Sequence, residues 1–112
     1  MICVCTRAVT VTVVVRSFAE DHPYAPPFLR VVYPRFAFHT GHVTIGGSIC
    51  MELLTKSGWR PSNDVDSVIV QVRAEMIAGA GRVDFARSNY PSYDLAEAHS
   101  AFHRVAEQHG WN

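Results

Sequence analysis

One cysteine, Cys50, follows the small residues Gly46, Gly47 and Ser48 in the segment GGSICMELL. Small residues allow another part of the chain to come close, whereas a structural cysteine usually sits inside a longer hydrophobic run. A cysteine thiolate is a strong nucleophile and can carry an acyl group. The segment therefore leaves two interpretations open: Cys50 is a packed thiol, or it is a working nucleophile.

Two histidines, His39 and His42, lie in the segment just before Cys50. A nearby imidazolium favours the thiolate form of a cysteine, so a loop that folds back would activate Cys50. The alternative is that both histidines belong to a solvated loop. A papain-like thiol hydrolase would need its histidine much further downstream than this sequence extends, so we do not favour that class.

The composition is typical of one globular domain, which we place over residues 1–112. The hydrophobic fraction is 48%, and ten basic residues balance ten acidic ones. This balance gives no indication of a nucleic-acid or membrane partner. The three cysteines are an odd number, which excludes a complete disulfide framework and favours a reducing, intracellular setting. We find no signal peptide pattern, no metal-ligand cluster and no indication of a cofactor, so a soluble protein is expected.

The first third of the chain favours β-strands. Residues 8–18 alternate between valines and more polar residues, which predicts a strand with one buried face. Phe28–Tyr33 predicts a second strand, and the short connection favours an antiparallel meander. Residues 35–49 contain three glycines and carry no helical pattern, so a long structured loop is expected. A short turn is expected over residues 51–54.

Two amphipathic helices are predicted after this loop, over residues 63–78 and 93–108. Ser62 or Asn63 is expected to cap the first helix and Ser92 the second, while Gly110 ends the second. The apolar stripe of the first helix, expected to be core, comprises Val65, Val68, Ile69, Val72, Met76 and Ile77. The corresponding stripe of the second helix comprises Leu95, Ala98, Phe102 and Val105. Strands followed by helices indicate an α+β fold.

Three segments together resemble the ubiquitin-conjugating domain. They are HPYAPPFLRV, then GGSICMELLTKSGW, then an amphipathic helix. The sequence around the cysteine is most similar to the Q-type branch of that family, and the resemblance covers about residues 11–111. It implies a UBC-like fold in which an antiparallel meander leads into a long active-site loop and C-terminal helices.

The resemblance implies that Cys50 is the thioester cysteine. It would accept ubiquitin from an activating enzyme and pass it to a lysine, usually beside a ligase. Most of the family place an asparagine eight residues before this cysteine, in a His-Pro-Asn motif, to stabilise the oxyanion. Here His42 occupies that position, in the segment HTGHV. The replacement donor is left open between His42, His39 and a backbone N–H.

The resemblance also implies roles outside the cysteine loop. Asp84 lies near the position of a family residue that flanks the cysteine, where a carboxylate would orient the incoming lysine; the alternative is an ordinary loop acid. Tyr24 and Pro61 match the two loop tips that contact ligases, although Tyr24 is equally compatible with a core aromatic. Trp59 is expected to pack under the active-site loop.

The family domain begins with a helix and a first strand that we do not find in this sequence. The first helix is a docking surface for the activating enzyme in the family. Its absence would leave one sheet face bare unless residues 1–9 cover it. A truncated or reduced variant that binds ubiquitin without chemistry is therefore the alternative function, and the expected location in either case is the cytoplasm, the nucleus or both.

Overall fold

The computed structural model describes residues 2–6, 9–16, 23–87 and 89–111. Three strands come first, followed by a long loop and then two helices, so the predicted α+β order is confirmed. No helix in these ranges is long and apolar enough to cross a membrane.

The sheet is an antiparallel meander in the order β1-β2-β3. Its strands are β1 Ile2–Thr6, β2 Val9–Arg16 and β3 Phe28–Tyr33. The second and third strands confirm the two predictions, while residues 8, 17 and 18 of the first prediction lie outside the described part. Alternation places apolar side chains of β2 and β3 on one sheet face, where Val15 is partly buried and four others are fully buried. The buried side chains on that face are Val11, Val13, Leu29 and Val31.

The first strand, β1, was not assigned from the sequence. It pairs with β2 from Ile2 opposite Val13 to Thr6 opposite Val9. Ile2–Thr6 therefore extend the sheet at its edge. Coverage of a sheet face by residues 1–9 is thus not what the structure shows for Ile2–Thr6, while residues 1, 7 and 8 lie outside the described part.

The segment between β3 and the first helix is a structured loop, as predicted. An isolated bridge joins Val43 to Ile49 within it, and a second joins Ser48 to Arg30 of β3. A 3₁₀ turn over Glu52–Leu54 follows. Because Ile49 is fully buried, the chain next to Cys50 is anchored to the core.

Helix α1 spans Val65–Ala78. Its cap is Asp64, whose carboxylate accepts the N–H of Ser67, and not Ser62 or Asn63 as predicted. This hydrogen bond gives a partner to one of the backbone N–H groups of the first turn, which have no acceptor within the helix. The predicted stripe is correct for Val68, Val72 and Met76, which are buried, whereas Val65 and Ile69 are only partly buried. Ile77 was wrongly placed in the core, since it is 57% exposed.

Helix α2 spans Leu95–His109 and ends at Gly110, as predicted, with Gly110 in the left-handed conformation (φ 70°). Asp94, not Ser92, caps it. Asp94 and Glu97 form a reciprocal capping box, which satisfies two backbone donors. Of the predicted stripe only Ala98 is fully buried; Ala101 and Ala106 are buried with it.

Candidate active site

Gly46 and Gly47 allow two elements to pack closely against the loop before Cys50. A Cβ on Gly46 would lie 2.6 Å from the carbonyl carbon of Glu97, and one on Gly47 would lie 2.7 Å from Cδ2 of Tyr93. Gly47 also has a φ of 91°, a backbone angle that residues with a side chain rarely adopt. Both glycines are therefore required by the packing of α2 and its preceding segment against the loop.

The upstream half of the loop makes a tight bend. His39, Gly41 and His42 all have positive φ angles, of 56°, 65° and 59°. The amide of Gly41 donates to the carbonyl of Gly79 at 2.9 Å, and the amide of Cys50 donates to the carbonyl of His42 at 2.7 Å. The bend is thereby fixed to the end of α1 on one side and to the cysteine on the other.

Cys50 lines an open groove of about 310 Å³, hereafter the Cys50 groove. Its side chain is half-buried, so it is neither sealed in the core nor fully solvated. The loop forms one wall of the groove, and the ends of both helices form the rest. The residues lining the groove are His39, Gly41, His42, Val43, Thr44, Cys50, Gly79, Val105, Gln108 and His109.

Burial raises the pKa of the Cys50 thiol above its ordinary value, since a half-buried site disfavours the charged thiolate. The fraction of thiolate at neutral pH is therefore small. The thiol is free, and it has no disulfide partner among the described residues.

His39 and His42 both reach the Cys50 groove, but their settings differ. The His42 ring places Nε2 at 3.2 Å from a carboxylate oxygen of Glu75 on α1, which makes an ion pair when the ring is protonated. The His39 side chain is exposed, and its ring lies 6.2 Å from that of Phe38. The structure thus brings together three of the predicted site residues: Cys50, His42 and His39.

Asp84 does not line the Cys50 groove. Its carboxylate accepts hydrogen bonds from Nε of Arg87 at 2.7 Å and from the amide of Ala86 at 3.1 Å. The same guanidinium donates to the carbonyl of Phe36. Asp84 is therefore engaged in holding its own loop, and its role toward an incoming lysine stays a prediction.

Tyr24 and Pro61 are both exposed, Tyr24 by 77%. The alternative that Tyr24 is a core aromatic is therefore wrong. Trp59 is buried, and its indole N–H donates to the carbonyl of Pro23 at 2.7 Å. This hydrogen bond joins the Tyr24 loop to the segment that leads into Pro61. The two loop tips predicted to contact ligases are therefore linked to each other.

Sequence reasoning missed four residues around the site: Glu75, Val105, Gln108 and His109. The last three belong to the C-terminal turns of α2 and close the groove from the far side. His109 stacks on Trp111, with ring centroids 4.3 Å apart. No local pattern marks these three residues as part of a site, and Val105 was predicted only as a core residue, because their approach to Cys50 depends on how α2 crosses the loop. Among the described residues, no group of three or more His, Cys, Asp or Glu side chains is placed to hold a metal ion.

A family model described as "Ubiquitin-conjugating enzyme" matches residues 12–106. Among curated proteins, the chain is 41% identical over 98 residues to ubiquitin-conjugating enzyme E2 Q1 of Homo sapiens, and equally to E2 Q1 of Mus musculus. It is 39% identical over 98 residues to ubiquitin-conjugating enzyme E2 25 of Caenorhabditis elegans.

Each of these three alignments covers 85% of the chain but a smaller share of the relative. The chain spans 22% of the length of each E2 Q1 protein and 25% of the length of E2 25. The similarity therefore concerns the domain that contains the Cys50 groove.

Proposed function

The chain belongs to the ubiquitin-conjugating enzyme family, in its Q-type branch, and from this premise we propose that it carries ubiquitin as a thioester on Cys50. It then passes ubiquitin to a substrate lysine, usually with a ligase. The observation that carries this proposal is the half-buried thiol in an open groove. A sulfur sealed in hydrocarbon could not accept a protein's C-terminus.

The chemistry consists of two acyl transfers. In the first, the Cys50 thiolate attacks the thioester between ubiquitin and the activating enzyme, a new C–S bond forms, and the activating enzyme's thiolate leaves. In the second, a lysine amine attacks the carbonyl carbon, the C–N bond forms, and Cys50 leaves as the thiolate or thiol. No cofactor is needed for either step, because a thioester is already an activated acyl group.

An oxyanion develops at the carbonyl during the second transfer and needs a hydrogen-bond donor. The amide of Cys50 already donates to His42, so it is committed elsewhere. His39 and His42 are the side chains of the Cys50 groove with ring N–H groups near the loop. Either imidazole takes the place of the family asparagine in this proposal.

Tyr24 and Pro61 are the proposed ligase-contacting residues. An exposed tyrosine on a proline-rich loop has a small entropy cost on binding and offers a large contact area, which is typical of interface hot spots. The Trp59–Pro23 hydrogen bond supports this role, because it limits the movement of that loop.

The proposal is tested with the 112-residue chain, activating enzyme, ATP and ubiquitin. We expect an adduct that resists denaturant but is released by thiols, and we expect Cys50→Ala to abolish it. Cys50→Ser is the matched control, since an ester adduct on serine would resist thiols. A folded chain that gives no thiol-sensitive adduct contradicts the proposal.

The alternative function is a binding module that holds ubiquitin without chemistry. The raised pKa of the Cys50 thiol and the His42 in place of the asparagine favour it. It predicts ubiquitin binding in an NMR titration that Cys50→Ser does not change, together with no adduct. For the transferase function, a thiol that must stay reduced fits the cytoplasm or the nucleus.

A further inference from the structure

The His42 ring has a defined orientation against α1. Its Nε2 lies 3.2 Å from Oε2 of Glu75. A Cβ added at Gly79, one turn further along, would lie 2.9 Å from His42 Cδ2. The ring edge made by Nε2 and Cδ2 therefore packs against the end of the helix. Nδ1 is the ring atom opposite that edge, so it points away from α1.

The carboxylate of Glu75 lies beside one of the two ring nitrogens of His42, Nε2. A negative oxygen at 3.2 Å favours the tautomer with its proton on Nε2. The neutral ring then presents a bare lone pair at Nδ1, which can accept a proton but cannot donate one. In this inference His42 is therefore the base, and of the two candidate imidazoles His39 is left as the oxyanion donor. In the catalytic triads of hydrolases, a carboxylate likewise holds an imidazole in the tautomer and orientation in which it acts as a base.

Among the described residues that line the Cys50 groove, no carboxylate contacts this ring. The titratable groups that face it there are His39 and Cys50 from the loop and His109 from α2, and the described lining residues include no acid. Asp84 pairs with Arg87 outside the groove. Among these groups, Glu75 is thus the acidic partner of the His42 ring.

We propose that Glu75 is a positioning residue that makes His42 the general base for transfer of the acyl group from Cys50. This inference rests on the proposed function. Glu75 touches neither substrate nor reacting atoms and acts only through the His42 ring, whose backbone carbonyl is joined to Cys50.

The proton balance of the step is complete. The lysine nitrogen bonds to the thioester carbon while its proton moves to Nδ1 of His42. The C–S bond then breaks, and the imidazolium returns the proton to the leaving Cys50 sulfur. Burial raises the pKa of this thiol, so the leaving sulfur gains from protonation. The products are the amide, the free thiol and a neutral His42.

The test compares single-turnover discharge of loaded Cys50 to free lysine. Discharge is normalised to the loaded fraction, so that any loading defect is removed. We expect His42→Ala to slow discharge by about 100-fold, a typical general-base contribution. We expect Glu75→Ala to slow it by about tenfold or more at saturating lysine, in kcat and not in KM.

Two variants separate positioning from structure. Glu75→Gln keeps an oxygen that accepts the Nε2 proton, so it should recover part of the rate lost in Glu75→Ala. Asp66→Ala removes another exposed carboxylate from the first turn of α1 and should discharge at the wild-type rate. The ¹⁵N shifts of the His42 ring should report the Nε2–H tautomer in the wild type and a mixture in Glu75→Ala.

If Glu75→Ala or His42→Ala loads normally and discharges at the wild-type rate, the inference is overturned. An unchanged tautomer in Glu75→Ala overturns it too. Failure of the wild type to form any adduct contradicts the proposed function instead, and the tautomer measurement then decides the positioning role by itself.

Discussion

The backbone N–H of Cys50 donates a 2.7 Å hydrogen bond to the carbonyl oxygen of His42, eight residues earlier. The loop between them is closed by a bridge from Val43 to Ile49. The position of His42 relative to the thiol is therefore set by the main chain, and only the ring orientation depends on side-chain contacts. The main chain therefore fixes the point from which any side chain at position 42 can reach the Cys50 thiol.

Thioester formation should depend on pH in a defined direction. Burial raises the pKa of the Cys50 thiol, so little thiolate is present at neutral pH. The rate of loading should rise by roughly tenfold per pH unit as long as the pH is below that pKa. Loading is measured with saturating activating enzyme across neutral to mildly alkaline pH, and the activating enzyme's own thioester serves as the reference. A flat profile would contradict the raised pKa.

The hydroxyl of Tyr93 should contribute measurably to stability. It accepts the buried amide proton of Phe36 at 2.8 Å and so ties the start of α2 to the chain before the active-site loop. Tyr93→Phe leaves that donor without a partner, which should lower the free energy of unfolding by about 1–3 kcal/mol. Urea denaturation measures the change.

Tyr90→Phe is the matched control for Tyr93→Phe. Tyr90 is 56% exposed, and removal of a solvated hydroxyl should change stability by less than about 0.5 kcal/mol. Equal stabilities of the two variants would show that the Phe36 amide finds another acceptor.

Gly46 should tolerate no side chain. A methyl group there would overlap the Glu97 carbonyl, which is part of the backbone of α2 and cannot rotate away. Gly46→Ala should cost about 3 kcal/mol, at the upper end for overpacking. Hydrogen exchange should become faster along α2, since this contact seats the helix on the loop.

Gly110→Ala provides the comparison for Gly46→Ala. A Cβ at Gly110 would meet nothing within 4 Å, so only its left-handed backbone opposes the change. Its cost should be about 1 kcal/mol. A Gly46→Ala chain as stable as Gly110→Ala would mean that α2 shifts freely.

Tyr24 should matter when a ligase is present. Tyr24→Ala should weaken ligase-stimulated discharge by roughly 30-fold, the effect of losing one hot spot of about 2 kcal/mol. The measurement uses a panel of purified ubiquitin ligases, with discharge to free lysine in their absence as the baseline. Tyr90→Ala removes an exposed tyrosine elsewhere and should match the wild type. A Tyr24→Ala chain that responds normally to every stimulating ligase would remove Tyr24 from the interface.

Local signals predicted the elements well and their ends less well. Alternating valines indicated β2, and Phe28–Tyr33 was predicted to the residue. Both helices were found, yet their caps are Asp64 and Asp94, each one or two residues from a predicted cap. Serine, asparagine and aspartate all make good caps, so propensity alone does not choose between neighbours.

The sequence by itself determined the family, the α+β order and Cys50 as the candidate nucleophile, because these depend on short motifs and on the spacing of apolar side chains. Only the tertiary structure decided that Glu75 stands behind His42, that the end of α2 closes the groove, and that Ile77 faces solvent. These relationships depend on how separate elements are placed against each other. Periodicity along one element carries no information about which neighbour will cover it.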